Sequence, residues 1–198
     1  MYGGNGNDTM TGGTSVTAYG DDGNDVLDGD ESFLYGGNGN DTLTGGFSNL
    51  FGGDGDDVLT TYFSSNVTGG NGNDTLNGSD GLELFVFNAP TEGVDTIVNF
   101  VRSSIPPEFG DRIVVSASGF GGGLTVGPTG MPLRAITPDQ FRLGTAAADA
   151  SDRFIYNNAN GNLFFDPTGS NNGATDQIRF ATLVGAPEIT SNDIVVDA

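Results

Sequence analysis

The chain has no cysteine, histidine, lysine or tryptophan, and its six basic residues are all arginines at or beyond Arg102. Each absence removes a class of chemistry. Without cysteine there are no disulfide staples and no thiol nucleophile, and redox chemistry does not report the compartment. Without histidine there is no Ser-His-Asp triad and no zinc-protease motif. Without lysine the glycine-rich loops cannot be P-loops, and no helix is expected to follow them as a dinucleotide fold requires. An enzyme is not expected. Paired carboxylates of a glycosidase are compatible with the composition, but nearly every acid of the first half is better explained by a metal. No apolar run is long enough to span a membrane, and no N-terminal signal peptide is expected. A formal charge of −20 argues against nucleic acid and anionic membrane as partners.

What the chain does have is a repeat. Gly3–Thr11 recurs at Gly20–Asp28, Gly36–Thr44, Gly52–Thr60 and Gly69–Asn77, with starts 16 or 17 residues apart. A period of this size fits one turn of a solenoid, in which each copy supplies a tight loop and a short strand. Inside each copy the pattern is G-G-x-G-x-D-x-U-x, with Met10, Leu27, Leu43, Leu59 and Leu76 at the apolar position U. Glycines let a short loop curl with its carbonyls unobstructed. Asp8, Asp25, Asp41, Asp57 and Asp74 then stack at the strand spacing of roughly 4.8 Å. Such a column repels itself unless cations sit between the rungs. With only oxygen donors to offer, the loops select a hard cation with a flexible shell, and calcium fits better than magnesium. The apo repeats, acidic and glycine-rich, resemble disordered chains, so folding and ion binding are expected to be one event.

The intervening stretches Gly12–Tyr19, Gly29–Tyr35, Gly45–Phe51 and Thr61–Thr68 lack the aspartate and the glycine pattern. One calcium-bearing edge and one bare edge are expected. Strand alternation in these stretches places Ala18, Leu34, Leu50 and Val67 inward, facing the Met/Leu row across a thin core. Gly78–Val86 returns to nine residues with Glu83 at the aspartate position, a degenerate copy on the bare edge. Tyr2, Tyr19, Tyr35 and Phe51 form an aromatic row whose expected role is stacking between rungs. Asn5, Asn38 and Asn71, with Asn7, Asn24, Asn40 and Asn73, form polar ladders near Thr9, Thr42 and Thr75.

After Glu83 glycine thins out and arginine appears, dividing the chain into a repeat region, 1–83, and a β-rich C-terminal cap, 84–198. Strands are expected at Leu84–Asn88, Asp95–Val101, Arg112–Ser116, Gln140–Leu143, Phe154–Tyr156, Leu163–Phe165, Gln177–Thr182 and Ile194–Val196. Asn160-Gly161 signals a two-residue hairpin turn, and Gly121–Pro138 reads as a long loop. Phe85, Phe87, Ile97 and Phe100 are suited to closing the end of the core.

The nonapeptide copies resemble the repeats-in-toxin (RTX, hemolysin-type) calcium-binding repeat, which implies an all-β fold: a parallel β-roll with calcium on one edge, followed by a β-rich capping domain. Phe85-Val-Phe87, Gly93-x-Asp95-Thr-Ile97-x-x-Phe100 and Gly110-Asp-Arg-Ile113 resemble the segment after the repeats in many type I secretion substrates. Ser116–Leu124 and Ala148–Val184 are similar to the ends of cyanobacterial RTX proteins, and Asp193–Val196 resembles the ending of serralysin-type substrates, although Asp197 and Ala198 follow it here. The resemblance implies a ligand scheme in which each calcium takes carbonyls two and four plus the aspartate of one loop, and carbonyls one and three plus the aspartate of the next. The first ion would use Gly4, Gly6, Asp8, Gly20, Asp22 and Asp25; the second Asp21, Gly23, Asp25, Gly36, Asn38 and Asp41. The third would use Gly37, Gly39, Asp41, Gly52, Asp54 and Asp57; the fourth Gly53, Gly55, Asp57, Gly69, Asn71 and Asp74. Gly70, Gly72 and Asp74 remain for a fifth, with Asp95 as the acid supplied by the cap. The implied function is a secreted, extracellular or cell-surface module that folds on calcium after passing the type I secretion machinery. The alternative is an adhesion module that binds polysaccharide or ice through the outward ladders. Met1, opening in mid-repeat, is expected to follow further sequence in a larger protein.

Overall fold

A computed structural model describes residues 1–102, 110–127, 133–169 and 176–198. The segments Gly121–Pro138 and Ala148–Val184 run partly outside these residues. In the repeat half the strands are β1 (Tyr2–Asn5), β2 (Thr9–Thr14), β3 (Thr17–Asp22), β4 (Val26–Asp30), β5 (Phe33–Asn38), β6 (Thr42–Gly45), β7 (Asn49–Asp54), β8 (Val58–Thr61), β9 (Asn66–Asn71) and β10 (Thr75–Asn77). Beyond them follow β11 (Leu84–Phe87), β12 (Asp95–Val98), β13 (Arg112–Ser116), helix α1 (Ala117–Phe120), β14 (Arg134–Ala135), β15 (Phe141–Leu143), β16 (Phe154–Asn157), β17 (Asn162–Phe165), β18 (Ile178–Leu183) and β19 (Ile194–Asp197).

The odd strands of the repeats stack parallel into one sheet, β1-β3-β5-β7-β9, and the even ones into a second, β2-β4-β6-β8-β10. This is the parallel β-roll. Register is one turn per rung: Leu34 pairs with Leu50 and Leu43 with Leu59, so identical positions lie above one another. Alternation then puts Ala18, Leu34, Leu50 and Val67 of one sheet against Leu27, Leu43, Leu59 and Leu76 of the other, all buried. Met10, on the first turn, is only half-buried. Each inner leucine contributes on the order of 1.5–3 kcal/mol, but a turn holds only two such side chains, so the loops must supply the rest.

Both sheets run on past Glu83. The first continues β9-β11-β13-β19-β14 and the second β10-β12-β18-β17-β16-β15. Pairing stays parallel through β13–β19 and β12–β18, then turns antiparallel at β14–β19, β16–β17 and β17–β18. Phe85, Phe87, Ile97 and Phe100 are buried and extend the leucine rows. Here the core thickens: the Phe120 ring lies 5.0 Å from that of Phe165 and 5.2 Å from that of Phe180, both edge-on.

Each C-terminal run expected as a strand forms one, the largest difference being Asp95–Val101, which ends at Val98. Three details depart from the sequence expectation. The Asn160-Gly161 connection is a four-residue loop, because Asn157 pairs with Asn162 and the Gly161 N–H reaches back to the Asn157 carbonyl at 2.8 Å. Ser116–Leu124 contains the short helix α1, whose first turn is capped by the Ser116 hydroxyl. Within Gly121–Pro138, Arg134–Ala135 forms a strand on β19, so the chain's last strand is interior to its sheet rather than at the edge.

Candidate metal centre

The repeat loops join the first sheet to the second along one edge. Positions two and four of each loop need positive φ, seen at Gly37 (120°) and Gly39 (124°), which turns their carbonyls along the solenoid axis. A side chain on Gly53 would strike the Gly37 carbonyl oxygen, and one on Gly55 would strike that of Gly39. The second and fourth carbonyls therefore face the next turn. Asp21 occupies a second position at φ 75°, and its carbonyl meets Gly37 as the glycines' do, so the substitution leaves the loop path intact.

The aspartates form a continuous column. The Asp8 N–H donates to Asp25 Oδ1 at 2.7 Å, Asp25 to Asp41 at 2.7 Å, Asp41 to Asp57 at 2.7 Å and Asp57 to Asp74 at 2.8 Å. The other oxygen, Oδ2, of Asp8, Asp25, Asp41, Asp57 and Asp74 is buried with no partner. At the first turn, a Cβ on Gly3 would lie 2.7 Å from both Asp8 Oδ2 and the Gly20 carbonyl oxygen. Cβ atoms on Gly20, Gly36 and Gly52 would likewise strike Asp25 Oδ2 with the Gly36 carbonyl, Asp41 Oδ2 with the Gly52 carbonyl, and Asp57 Oδ2 with the Gly69 carbonyl. Oxygen atoms thus converge between turns where glycine alone leaves room. An unpaired buried carboxylate oxygen costs several kcal/mol, and a cation there removes that cost.

Third-position residues contribute backbone only. The Asn38, Asp54 and Asn71 carbonyls accept the N–H of Gly23, Gly39 and Gly55 at 2.7–2.8 Å. Their side chains pair outside the column, Asn38 Nδ2 with Asp22 Oδ1 and Asn71 Nδ2 with Asp54 Oδ1, both at 2.8 Å. Fifth-position Asn7, Asn24 and Asn40 accept the next turn's backbone N–H at 2.9–3.0 Å. The Tyr2, Tyr19, Tyr35 and Phe51 rings stack at 4.7–4.9 Å, covering one another's faces, as cross-rung packing does.

Asp95 joins the column. Its Oδ1 accepts the Asp74 N–H at 3.1 Å, and Gly72 N–H donates to the Glu92 carbonyl at 2.7 Å, as Gly55 does to Asn71. With Gly93 at φ 150° and Leu76 paired to Ile97, Pro90–Asp95 is a sixth loop. By sequence Gly93-x-Asp95-Thr96-Ile97 belongs to the cap, with Asp95 as the acid it supplies. Its signal was the second half of the nonapeptide, obscured because Pro90, Thr91 and Glu92 replace the leading residues and the spacing from Asp74 grows to 21.

Burial raises these acids, with neighbouring carboxylates adding to the effect: Asp57 to about 7, Asp74 to about 6 and Asp95 to about 8. Asp41 is raised by the same causes. No three acidic side chains are placed to hold one metal ion among the described residues, so an ion in each gap would depend on two aspartates and several carbonyls. That donor set suits calcium.

The opposite edge solves the same problem without charge. Ser32, Ser48 and Ser65 stand where the aspartates stand, and their hydroxyls accept the N–H of Val16, Ser32 and Ser48 at 3.0–3.1 Å. Each hydroxyl also donates to a carbonyl two residues earlier in its own turn. This hydroxyl ladder was not expected from the sequence, where serine at 16- and 17-residue spacing is its only sign.

Fold and site together define a calcium-binding parallel β-roll. Residues 2–32, 31–49, 35–63 and 61–82 match the family model of the RTX calcium-binding nonapeptide repeat, four copies in all. Over these residues the chain is an RTX β-roll, of the hemolysin type. No curated protein matches the chain. No helix among the described residues is long and apolar enough to cross a membrane.

Proposed function

We propose that the protein is a non-enzymatic, secreted module whose folding is driven by a row of five calcium ions, one in each gap between the six loops ending at Asp8, Asp25, Asp41, Asp57, Asp74 and Asp95. The observation that carries this reading is the set of five buried Oδ2 atoms without partners, one per gap. The first four ions take the carbonyl and aspartate sets that the resemblance implies. The fifth takes Gly70, Gly72 and Asp74 with Asp95 and the carbonyls of Pro90 and Glu92.

Coupling to export follows from the chemistry. In a calcium-poor cytoplasm the charge column keeps the repeats unfolded and able to pass a type I transporter, and millimolar extracellular calcium then folds them. The repeat region, 1–83, and the C-terminal part, 84–198, act as calcium-responsive and capping halves of this device. Equilibrium dialysis with calcium tests the reading: five ions per chain are expected, and four or fewer would overturn it.

A further inference from the structure

Among the described residues an asparagine is followed directly by glycine at Asn5, Asn38, Asn71, Asn77 and Asn160. This pair has a chemistry of its own. Glycine places no side chain over its own amide nitrogen, so that nitrogen can reach the Cγ of the asparagine before it. The nitrogen gives its proton to solvent base and bonds to Cγ, the Cγ–Nδ2 bond breaks, and ammonia leaves with a proton from water. Water then opens the cyclic imide at either carbonyl, leaving aspartate or its β-linked isomer. Each reaction consumes water and releases ammonia, and no electrons are transferred.

In the folded chain these nitrogens are all engaged. The Gly6, Gly39 and Gly72 N–H groups donate to the carbonyls of Asp22, Asp54 and Glu92 at 2.7–2.8 Å, and that of Gly78 donates to the Val98 carbonyl at 2.9 Å. Each of these acceptors lies on the following turn, so the protection comes from stacking. Gly161 differs, because its N–H donates to the Asn157 carbonyl at 2.8 Å within its own loop. Its protection is local to the cap.

The third loop positions carry a charge pattern that the reaction would destroy. They run Asn5, Asp22, Asn38, Asp54 and Asn71, amide and acid in alternation. Asn38 Nδ2 donates to Asp22 Oδ1 and Asn71 Nδ2 to Asp54 Oδ1, both at 2.8 Å. A carboxylate in place of either amide sets two like charges against each other on adjacent strands, which is destabilising. The β-linked product also lengthens the main chain by a carbon, and the loop has no slack for it: a Cβ on Gly55 would already lie 2.1 Å from the Gly39 carbonyl oxygen.

We propose that Asn38 and Asn71 are deamidation sites held closed by the stacking of the next turn, and that reaction there stops the loop from re-forming its calcium gap. What opens the sites rests on the calcium-coupled folding proposed above: without calcium the turns separate and the Gly39 and Gly72 nitrogens are released. The calcium-free chain then has a limited lifetime.

The test follows the full chain by peptide mapping and mass spectrometry after incubation at mildly alkaline pH with millimolar calcium, with EGTA, and with EGTA in urea. Asn38 and Asn71 are expected to deamidate at least about tenfold faster in EGTA than with calcium, because the reaction no longer waits for a turn to open. Asn40, followed by Asp41 rather than glycine, is the control and is expected to lag behind both. Deamidation of Asn38 with calcium as fast as in urea overturns the proposal, and so does its absence in urea. Circular dichroism of the same samples keeps the two readings apart. If β-signal and both asparagines survive EGTA while urea exposes them, calcium-coupled folding fails and closure by turn stacking stands. EGTA-treated chain returned to calcium is expected to fall short of its original β-signal by the modified fraction, and full recovery by modified chain overturns the loss of the gap.

Discussion

Asp41 and Asp57 are joined by one hydrogen bond, from the Asp41 N–H to Asp57 Oδ1 at 2.7 Å, while Oδ2 of Asp57 is buried with nothing to bind. One oxygen fixes the position of the carboxylate and the other is left for a cation. Because the same relationship recurs from Asp8 to Asp74, every interior aspartate serves two turns.

Position within the row sets the cost of losing an aspartate. Asp41→Ala removes a ligand shared by two gaps and the bond from the Asp25 N–H, worth about 1.5–3 kcal/mol as a charge-assisted pair. Asp8 accepts no bond from a turn above it and faces one gap. Thermal unfolding at saturating calcium is expected to show a clearly larger loss for Asp41→Ala than for Asp8→Ala, since solenoid stability propagates between neighbours. Exposed Asp28→Ala should change little. Equal losses for all three would contradict a shared-ligand column.

Gly36 guards the space in which an ion would sit. It is not among the positive-φ glycines, yet a Cβ there would strike Asp41 Oδ2 and the Gly52 carbonyl. Gly36→Ala therefore fills the gap and presses on the Gly52 backbone carbonyl, and isothermal titration should show at least one calcium fewer. Gly13→Ala, with nothing within 4 Å of the new methyl, should leave the count unchanged.

Calcium affinity should fall with acid. Without metal, Asp57, Asp74 and Asp95 sit at about 7, about 6 and about 8 in the folded geometry, raised chiefly by burial. Protons therefore compete with the ion throughout that range. The calcium midpoint for the rise in β-signal by circular dichroism is expected to move to higher concentration as pH drops from about 8 to about 6. A midpoint independent of pH would show that these carboxylates are not ligands.

The sixth loop predicts a specific stoichiometry. Asp95→Ala should reduce the bound ions by one while the four gaps above it still fill, because among the repeat loops the Asp95 carboxylate bonds the Asp74 turn. Loss of no ion would remove Asp95 from the centre.

Truncation before Ala186 should destabilise even the calcium-loaded protein. It deletes β19, whose Ile194, Val195 and Val196 are buried between β13 and β14, and several buried apolar residues lost together cost more than about 4 kcal/mol. An unchanged thermal midpoint would contradict this placement.

The period, the aspartate column and the facing leucine rows were legible in the sequence because a solenoid turn contacts only its neighbours, so local spacing is also spatial spacing. Leu27, Leu43 and Leu59 had to be inward once each turn was 16 residues long. Where the spacing broke, only tertiary structure decided. The return from Asp74 to Asp95 takes 21 residues and that from Glu83 to Asp111 takes 28, lengths that no repeat fixes, so pairing across them depends on how β11, β12 and β13 pack. The same holds for β19, placed beside β13 by burial of Ile194 and Val196 against the thickened core. Residue type could show which chemistry the loops offer; the free Oδ2 atoms became visible only when backbone N–H groups had claimed the Oδ1 atoms beside them.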